Sequence, residues 1–136
     1  MAILNPYLNF DGDARQALEF YQETFGGELT VSTFGEYGDP SQPGADGIMH
    51  GNLETPSGFR IMAADTPPGM DHNPGTNVAV SLSGDDAGEL HGYWDKLSTG
   101  GQVLVPLEKQ MWGDVFGMCV DQFGIGWMVN IAGAPV

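Results

Sequence analysis

Three polar side chains recur at alternate positions within Ile48-Met49-His50-Gly51-Asn52-Leu53-Glu54. In an extended strand alternate residues share a face, so His50, Asn52 and Glu54 are expected to present together. Histidine is the side chain suited to acid–base work near neutral pH. Glu54, further along the same face, is reachable across a curved sheet, which makes His50 and Glu54 the candidate catalytic pair. A hydrogen-bonded structural histidine fits the same residue. His72 falls in a turn-rich connector and His91 on a helix with charged neighbours, and both read as solvated.

The remaining composition narrows the chemistry. The 136 residues carry 18 acidic and 4 basic side chains, for a formal net charge of -14. No basic patch exists to neutralise phosphates, so nucleic acid is excluded as a partner. An acidic field attracts cationic ligands, and it also simply aids solubility. The single cysteine, Cys119, lies in an apolar run and reads as a small core residue. There is no charged-then-apolar start and no long apolar run, so the chain is expected to be soluble, unexported and cytoplasmic, with no membrane partner. The Gly-x-Ser-x-Gly elbow, the phosphate loop and paired zinc-ligand cysteines are all missing.

The elements that would hold these side chains come in two copies. Asp11-Gly12-Asp13-Ala14 leads through Leu18, Tyr21 and Phe25 to Gly26-Gly27. Ser83-Gly84-Asp85-Asp86 leads likewise through Leu90, Tyr93 and Leu97 to Gly100-Gly101. Further on, Gly51, Gly58 and Met62 are answered by Gly117, Gly124 and Met128. A period near half the chain length means two copies of one supersecondary unit.

In the first copy, alternation predicts a strand over Ile3–Phe10. A helix follows, capped by Asp11 or Asp13 and ended by Gly26-Gly27, and then a strand over Leu29–Phe34. Gly35–Gly47 reads as a long loop. Strands over Ile48–Glu54 and Phe59–Ala64 complete a β-α-β-β-β order. The second copy predicts a strand over Asn77–Leu82, a helix over Asp85–Leu97, and strands over Gln102–Val105, Val115–Val120 and Ile125–Ile131. The fold class is α+β: two βαβββ modules, about 1–65 and 76–136 with a connector over 66–75, in one domain of residues 1–136. The expected architecture is curved mixed sheets around a cleft, with helices on the outer face.

One face of each sheet must cover its helix, which leaves the other to line the cleft. Alternation assigns Asn5, Tyr7, His50, Asn52, Glu54, Arg60 and Met62 to the lining in the first copy. In the second it assigns Asn77, Ala79, Ser81, Phe116, Met118 and Met128. Met49, Gly51 and Leu53 are expected to face the helix. Trp112, at the entrance to a strand, would stack on a ligand or anchor a dimer. Trp94 and Trp127 have core periodicity. The candidate ligand-binding residues are Asn5, Tyr7, Asn52, Met62, Asn77, Trp112, Phe116 and Met128.

The chain resembles the vicinal oxygen chelate superfamily of glyoxalases, extradiol dioxygenases and bleomycin- and fosfomycin-resistance proteins, and within it the PhnB-like branch. The resemblance rests on Asn5-Pro6-Tyr7-Leu8-Asn9-Phe10, Ala17-Leu18-Glu19-Phe20-Tyr21, Phe25-Gly26-Gly27-Glu28 and Ile48-Met49-His50. It rests also on Trp112-Gly113-Asp114 and Asp121-Gln122-Phe123-Gly124-Ile125-Gly126-Trp127. Gln122 and Val115 depart from the branch, which commonly has proline and arginine there. The methyltransferase label carried by some relatives has no support, because no Gly-rich loop follows a parallel strand.

Metal enzymes of the superfamily place a histidine early in a module and a glutamate in its last strand. The resemblance maps those positions to Asn5 and Met62, and to Asn77 and Met128. None is a histidine or carboxylate, so no metal and no cofactor are expected. The resemblance implies a homodimer and a small-molecule ligand, cationic if the acidic surface steers it. The leading expectation is a metal-free binding protein of the bleomycin-resistance type. The rivals are a metal-assisted or His50-dependent lyase or isomerase, any metal being held by residues other than the family's, and a structural or regulatory dimer with a vestigial cleft.

Overall fold

The computed structural model describes residues 2–67 and 69–133. Its elements run β1 (Tyr7–Phe10), α1 (Ala14–Phe25), β2 (Glu28–Thr33), β3 (Ile48–Glu54) and β4 (Arg60–Asp65). They continue with β5 (Val80–Gly84), α2 (Ala87–Ser98), β6 (Gln102–Lys109), β7 (Val115–Val120) and β8 (Gly126–Ile131). The chain divides into two compact units, residues 1–74 and 75–136. Each unit holds one β-α-β-β-β module with its own four-stranded sheet, ordered β1-β4-β3-β2 in the first and β5-β8-β7-β6 in the second. In both, the first strand pairs with the last in parallel and the remaining pairs are antiparallel.

In the first unit Ala14, Ala17, Leu18, Tyr21 and Phe25 recur at helical spacing and are all buried. Phe10, Ile48, Leu53, Ile61 and Ala63 are buried with them. Burying each large apolar side chain contributes about 1.5–3 kcal/mol. Two glycines permit the close packing. A Cβ at Gly51 would collide with the Leu18 side chain, and one at Gly27, where φ is +105°, would fall on the Glu54 carbonyl.

The start of α1 differs from the sequence expectation. Asp13 occupies the N-cap, but its side chain makes no capping bond, and Asp11 makes none in its place. The orphan donors go instead to Asp65, buried at the end of β4. Its Oδ1 accepts from the backbone N–H of Gly12 (2.9 Å) and of Ala14 (3.0 Å). Its Oδ2 accepts from the N–H of Ile48 (2.8 Å). A distant carboxylate thus supplies what a local cap was expected to supply.

In the second unit α2 is capped locally, with the Asp86 carboxylate accepting from Glu89 N–H at 3.1 Å. Leu90, Trp94 and Leu97 are its buried residues. Gly117 makes room for the indole, since a Cβ there would lie 2.8 Å from the Trp94 ring. The β7–β8 turn is held by buried Asp121, which accepts from Phe123 N–H (2.8 Å), Ile125 N–H (3.1 Å) and the Trp127 indole (2.8 Å). The matching turn of the first unit uses Thr55, whose hydroxyl accepts from Phe59 N–H at 3.0 Å.

Several boundaries move. β1 begins at Tyr7 rather than Ile3, and Leu4 is 99% exposed. β5 runs Val80–Gly84 rather than Asn77–Leu82, and Val78, inside the expected strand, is 80% exposed. β6 continues through Pro106 to Lys109, because it is the edge strand of its sheet and proline removes no ladder bond there. The Gly35–Gly47 loop is tied at its base by Phe34 N–H to Gly47 O (3.0 Å) and Gly35 N–H to Ala45 O (2.8 Å). His72, expected to be solvated, is half-buried with its Nδ1 3.0 Å from the Thr66 hydroxyl.

Cys119 is buried, as expected of a core residue. Burial, and then the Asp121 charge, push its thiol up from 9.0 to about 11. Below the lower value the thiol is neutral in both folded and unfolded chains and has no effect on stability. Between the two values only the unfolded chain ionises, so the folded state loses stability as pH rises. Denaturation curves collected across this interval should show that loss, and Cys119→Ala should remove its pH dependence. Asp65→Ala should cost about 3 kcal/mol or more in urea denaturation, because three N–H groups lose their acceptor. Asp65→Asn, which keeps one accepting oxygen, should cost less.

Candidate functional site

β3 divides as alternation requires. Gly51 and Leu53 turn to α1, whereas His50, Asn52 and Glu54 turn to the helix-free face. One position differs. A bulge opposite Ser32 and Thr33 inserts a residue, so Ile48, and not Met49, takes the buried place beside Asp65.

The register assembles a row across the sheet. Tyr7 on β1 and Asn52 on β3 both stand opposite Met62 on β4, and Thr30 on β2 stands opposite Asn52. Thr30 and Ser32 were missed as members of this face. Their alternation with Leu29 and Val31 was the available signal. The Tyr7 hydroxyl lies 3.3 Å from His50 Nδ1, and the two ring centroids are 5.9 Å apart at 35°. Glu54 Oε1 accepts from Arg60 (2.8 Å) and from the Asn52 amide (3.4 Å). The structure therefore partners His50 with Tyr7 and Glu54 with Arg60, in place of a His50–Glu54 pair. The exposed ion pair contributes about 0–1 kcal/mol to stability, and its effect is to orient Glu54 toward Asn52. Asn5, just ahead of β1, donates to the Met62 sulfur at 4.0 Å.

In the second unit Ser81, Met128 and Met118 form the corresponding row, with Phe116 opposite Asn130. Trp112, 60% exposed in the β6–β7 turn, has its ring 6.1 Å from Phe116. Asp114, in the same connection, accepts from the Asn130 amide (3.0 Å) and Gly133 N–H (2.8 Å), which hold its carboxyl below the ordinary range.

Asn77 does not join the row. It is exposed, ahead of β5. In the first unit Tyr7 stands opposite Met62, and in the second Ser81 stands opposite Met128. Ala79 is therefore the register counterpart of Asn5, two residues beyond Asn77. Matching Asp11-Gly12 to Ser83-Gly84 missed this because that match carries an offset of 72 positions, whereas the paired strands carry 74, from Tyr7 to Ser81.

The residues at the superfamily's metal positions do not fit a metal. The Asn5 amide nitrogen is turned to a thioether, Met62 and Met128 offer soft sulfur, and Ala79 offers no donor. Among the described residues no group of three or more His, Cys, Asp or Glu side chains comes together. No helix among them is long and apolar enough to cross a membrane.

The family model for the Glyoxalase/Bleomycin resistance protein/Dioxygenase superfamily matches residues 3–129. Protein YjdN of Escherichia coli is 29% identical over 94% of this chain and 94% of its own. The structure of protein PA1353 from Pseudomonas aeruginosa is 34% identical, covers 96% of this chain and 98% of its own, and superposes with a TM-score of 0.85. A PhnB protein from Bacillus cereus, 24% identical over 96% of this chain and 100% of its own, shares the fold with a TM-score of 0.77. Two β-α-β-β-β modules, a family match over nearly the whole length and a 34% identical relative of the same fold together place this chain in the glyoxalase/bleomycin resistance/dioxygenase superfamily, with PhnB-like proteins among its neighbours.

Proposed function

We propose that the chain binds a small organic molecule, without a metal, on the helix-free face of its first unit. The observation that carries this is the juxtaposition of the Tyr7–His50 ring pair with Asn52, Glu54 and Met62 on one sheet face. Flat rings and a soft thioether offer apolar contact, and a few convergent polar groups fix orientation, the usual makeup of a small-molecule site. The same superfamily includes proteins that sequester a ligand and enzymes that transform one, and the fold alone does not choose between them.

The 3.3 Å approach of the Tyr7 hydroxyl to His50 Nδ1 supports a second reading. A phenol and an imidazole at that separation can pass a proton, which is what a lyase or isomerase needs of an acid–base pair. Turnover that is lost in both His50→Ala and Tyr7→Phe would select this reading.

Two measurements check the proposal. Chelator treatment should leave the thermal midpoint unchanged, and zinc, nickel or manganese should not raise it. A rise of several degrees that Asn5→Ala abolishes would contradict the metal-free site. His50→Ala should weaken at least tenfold the fragment hits that shift Tyr7 and Asn52 resonances in an NMR screen. The same substitution should lower stability by no more than about 1 kcal/mol. A larger stability loss with unchanged binding would make His50 a structural residue.

A further inference from the structure

Asn52 has a feature that packing does not explain. Its Oδ1 is shut off from water and has no hydrogen-bond partner among the described residues. The neighbours account for this. Thr30, its register partner on β2, turns its hydroxyl to the Asn52 main-chain carbonyl instead. Met62, its partner on β4, has a thioether with no hydrogen to give. The amide orientation is fixed by Glu54, which accepts from Nδ2 at 3.4 Å. Turned end for end, the side chain would set two oxygens against each other and orphan its two donors. A buried, unbonded acceptor lowers stability and is rare in native proteins.

No donor nearby reaches Oδ1: Arg60 is turned to Glu54, and the Tyr7 hydroxyl and His50 Nδ1 share one hydrogen bond, which leaves one O–H or N–H of that pair for a ligand. Asn52 Oδ1 thus stands as an unpartnered acceptor close to the Glu54 carboxylate, in a chain of net charge -14.

We infer that Asn52 is a specificity-determining residue whose Oδ1 accepts a hydrogen bond from an N–H group of the ligand, and that the ligand class is an organic ammonium with an apolar body. This deepens the reading of the face as a ligand site and rests on it. The apolar body lies against the Tyr7 and His50 rings, where cations are also favoured by the phenol face. The ammonium spans Asn52 Oδ1 and the Glu54 carboxylate. Oδ1 gives up no water when the donor arrives, so the desolvation cost of the new bond falls on the ligand's N–H alone. Met62, unbranched and flexible, is the flanking side chain that moves aside.

The test is an NMR titration of the full chain with three matched probes: benzylammonium, benzyl alcohol and benzoate. Benzylammonium should bind tightest and shift the Asn52 side-chain amide. Asn52→Leu should weaken it at least tenfold while raising the thermal midpoint, because the orphaned acceptor is gone. Equal binding of benzylammonium to wild type and Asn52→Leu would overturn the inference. So would a preference for benzoate or benzyl alcohol at the same face, which would leave the site itself standing. If none of the three shifts Tyr7, His50 or Asn52, the ligand face fails and the inference fails with it.

Discussion

The Asp65 carboxylate holds the first unit together at the point where its helix meets its sheet. An ionised carboxylate buried without partners costs several kcal/mol, so burial is tolerated only where donors converge. Here three do: Gly12 and Ala14 at the start of α1, and Ile48 at the start of β3. The carboxylate thus ties β4, on which it sits, to the helix and to the neighbouring strand. It fixes where α1 begins and therefore which sheet face the helix covers. The opposite face, with Tyr7, His50, Asn52 and Met62, is left uncovered by the helix, and it is the face proposed to take a ligand. The second unit solves the same problem differently. Ile131 stands at the repeat position of Asp65, α2 is capped by its own Asp86, and the buried carboxylate is Asp121 in the β7–β8 turn. The shared skeleton persists beneath these exchanges, as in Thr66 N–H to Phe10 O and Ala132 N–H to Gly84 O, both 2.7 Å.

Much of this was legible because burial imposes periods. Ala14, Ala17, Leu18, Tyr21 and Phe25 announce a helix, and the alternation through His50, Asn52 and Glu54 assigns their face. Alternation does not reveal where pairing stops. Ile3 and Asn77 continue a strand pattern past the last ladder partner, so β1 and β5 were read as starting too early. Pro106 hid the second half of β6, since a proline is tolerated only because that strand is an edge. The Met49 bulge was invisible because its cause is the pairing with Ser32 and Thr33 on another strand. Asp65 looked like the last residue before a connector, and its three partners lie 17 to 53 positions away.

The site divides along the same line. Residues on one strand were placed together correctly, but the bonds between strands were not readable. His50 reaches Tyr7 across β4, and Glu54 is taken by Arg60. These pairings give the face an aromatic side and an acceptor-rich side, a distribution suited to holding a molecule with a flat or apolar body and a polar end. The donor chemistry at the positions where metal-dependent relatives bind their ion supports the same account, since an amide, thioethers and an alanine methyl do not form a metal site.

The most direct test of the metal-free ligand face is native mass spectrometry of the chain purified without added metal. The account predicts a retained organic molecule whose mass is independent of chelator, present on wild type and depleted on His50→Ala. A stoichiometric metal adduct, removed by chelator together with any organic ligand, would contradict it.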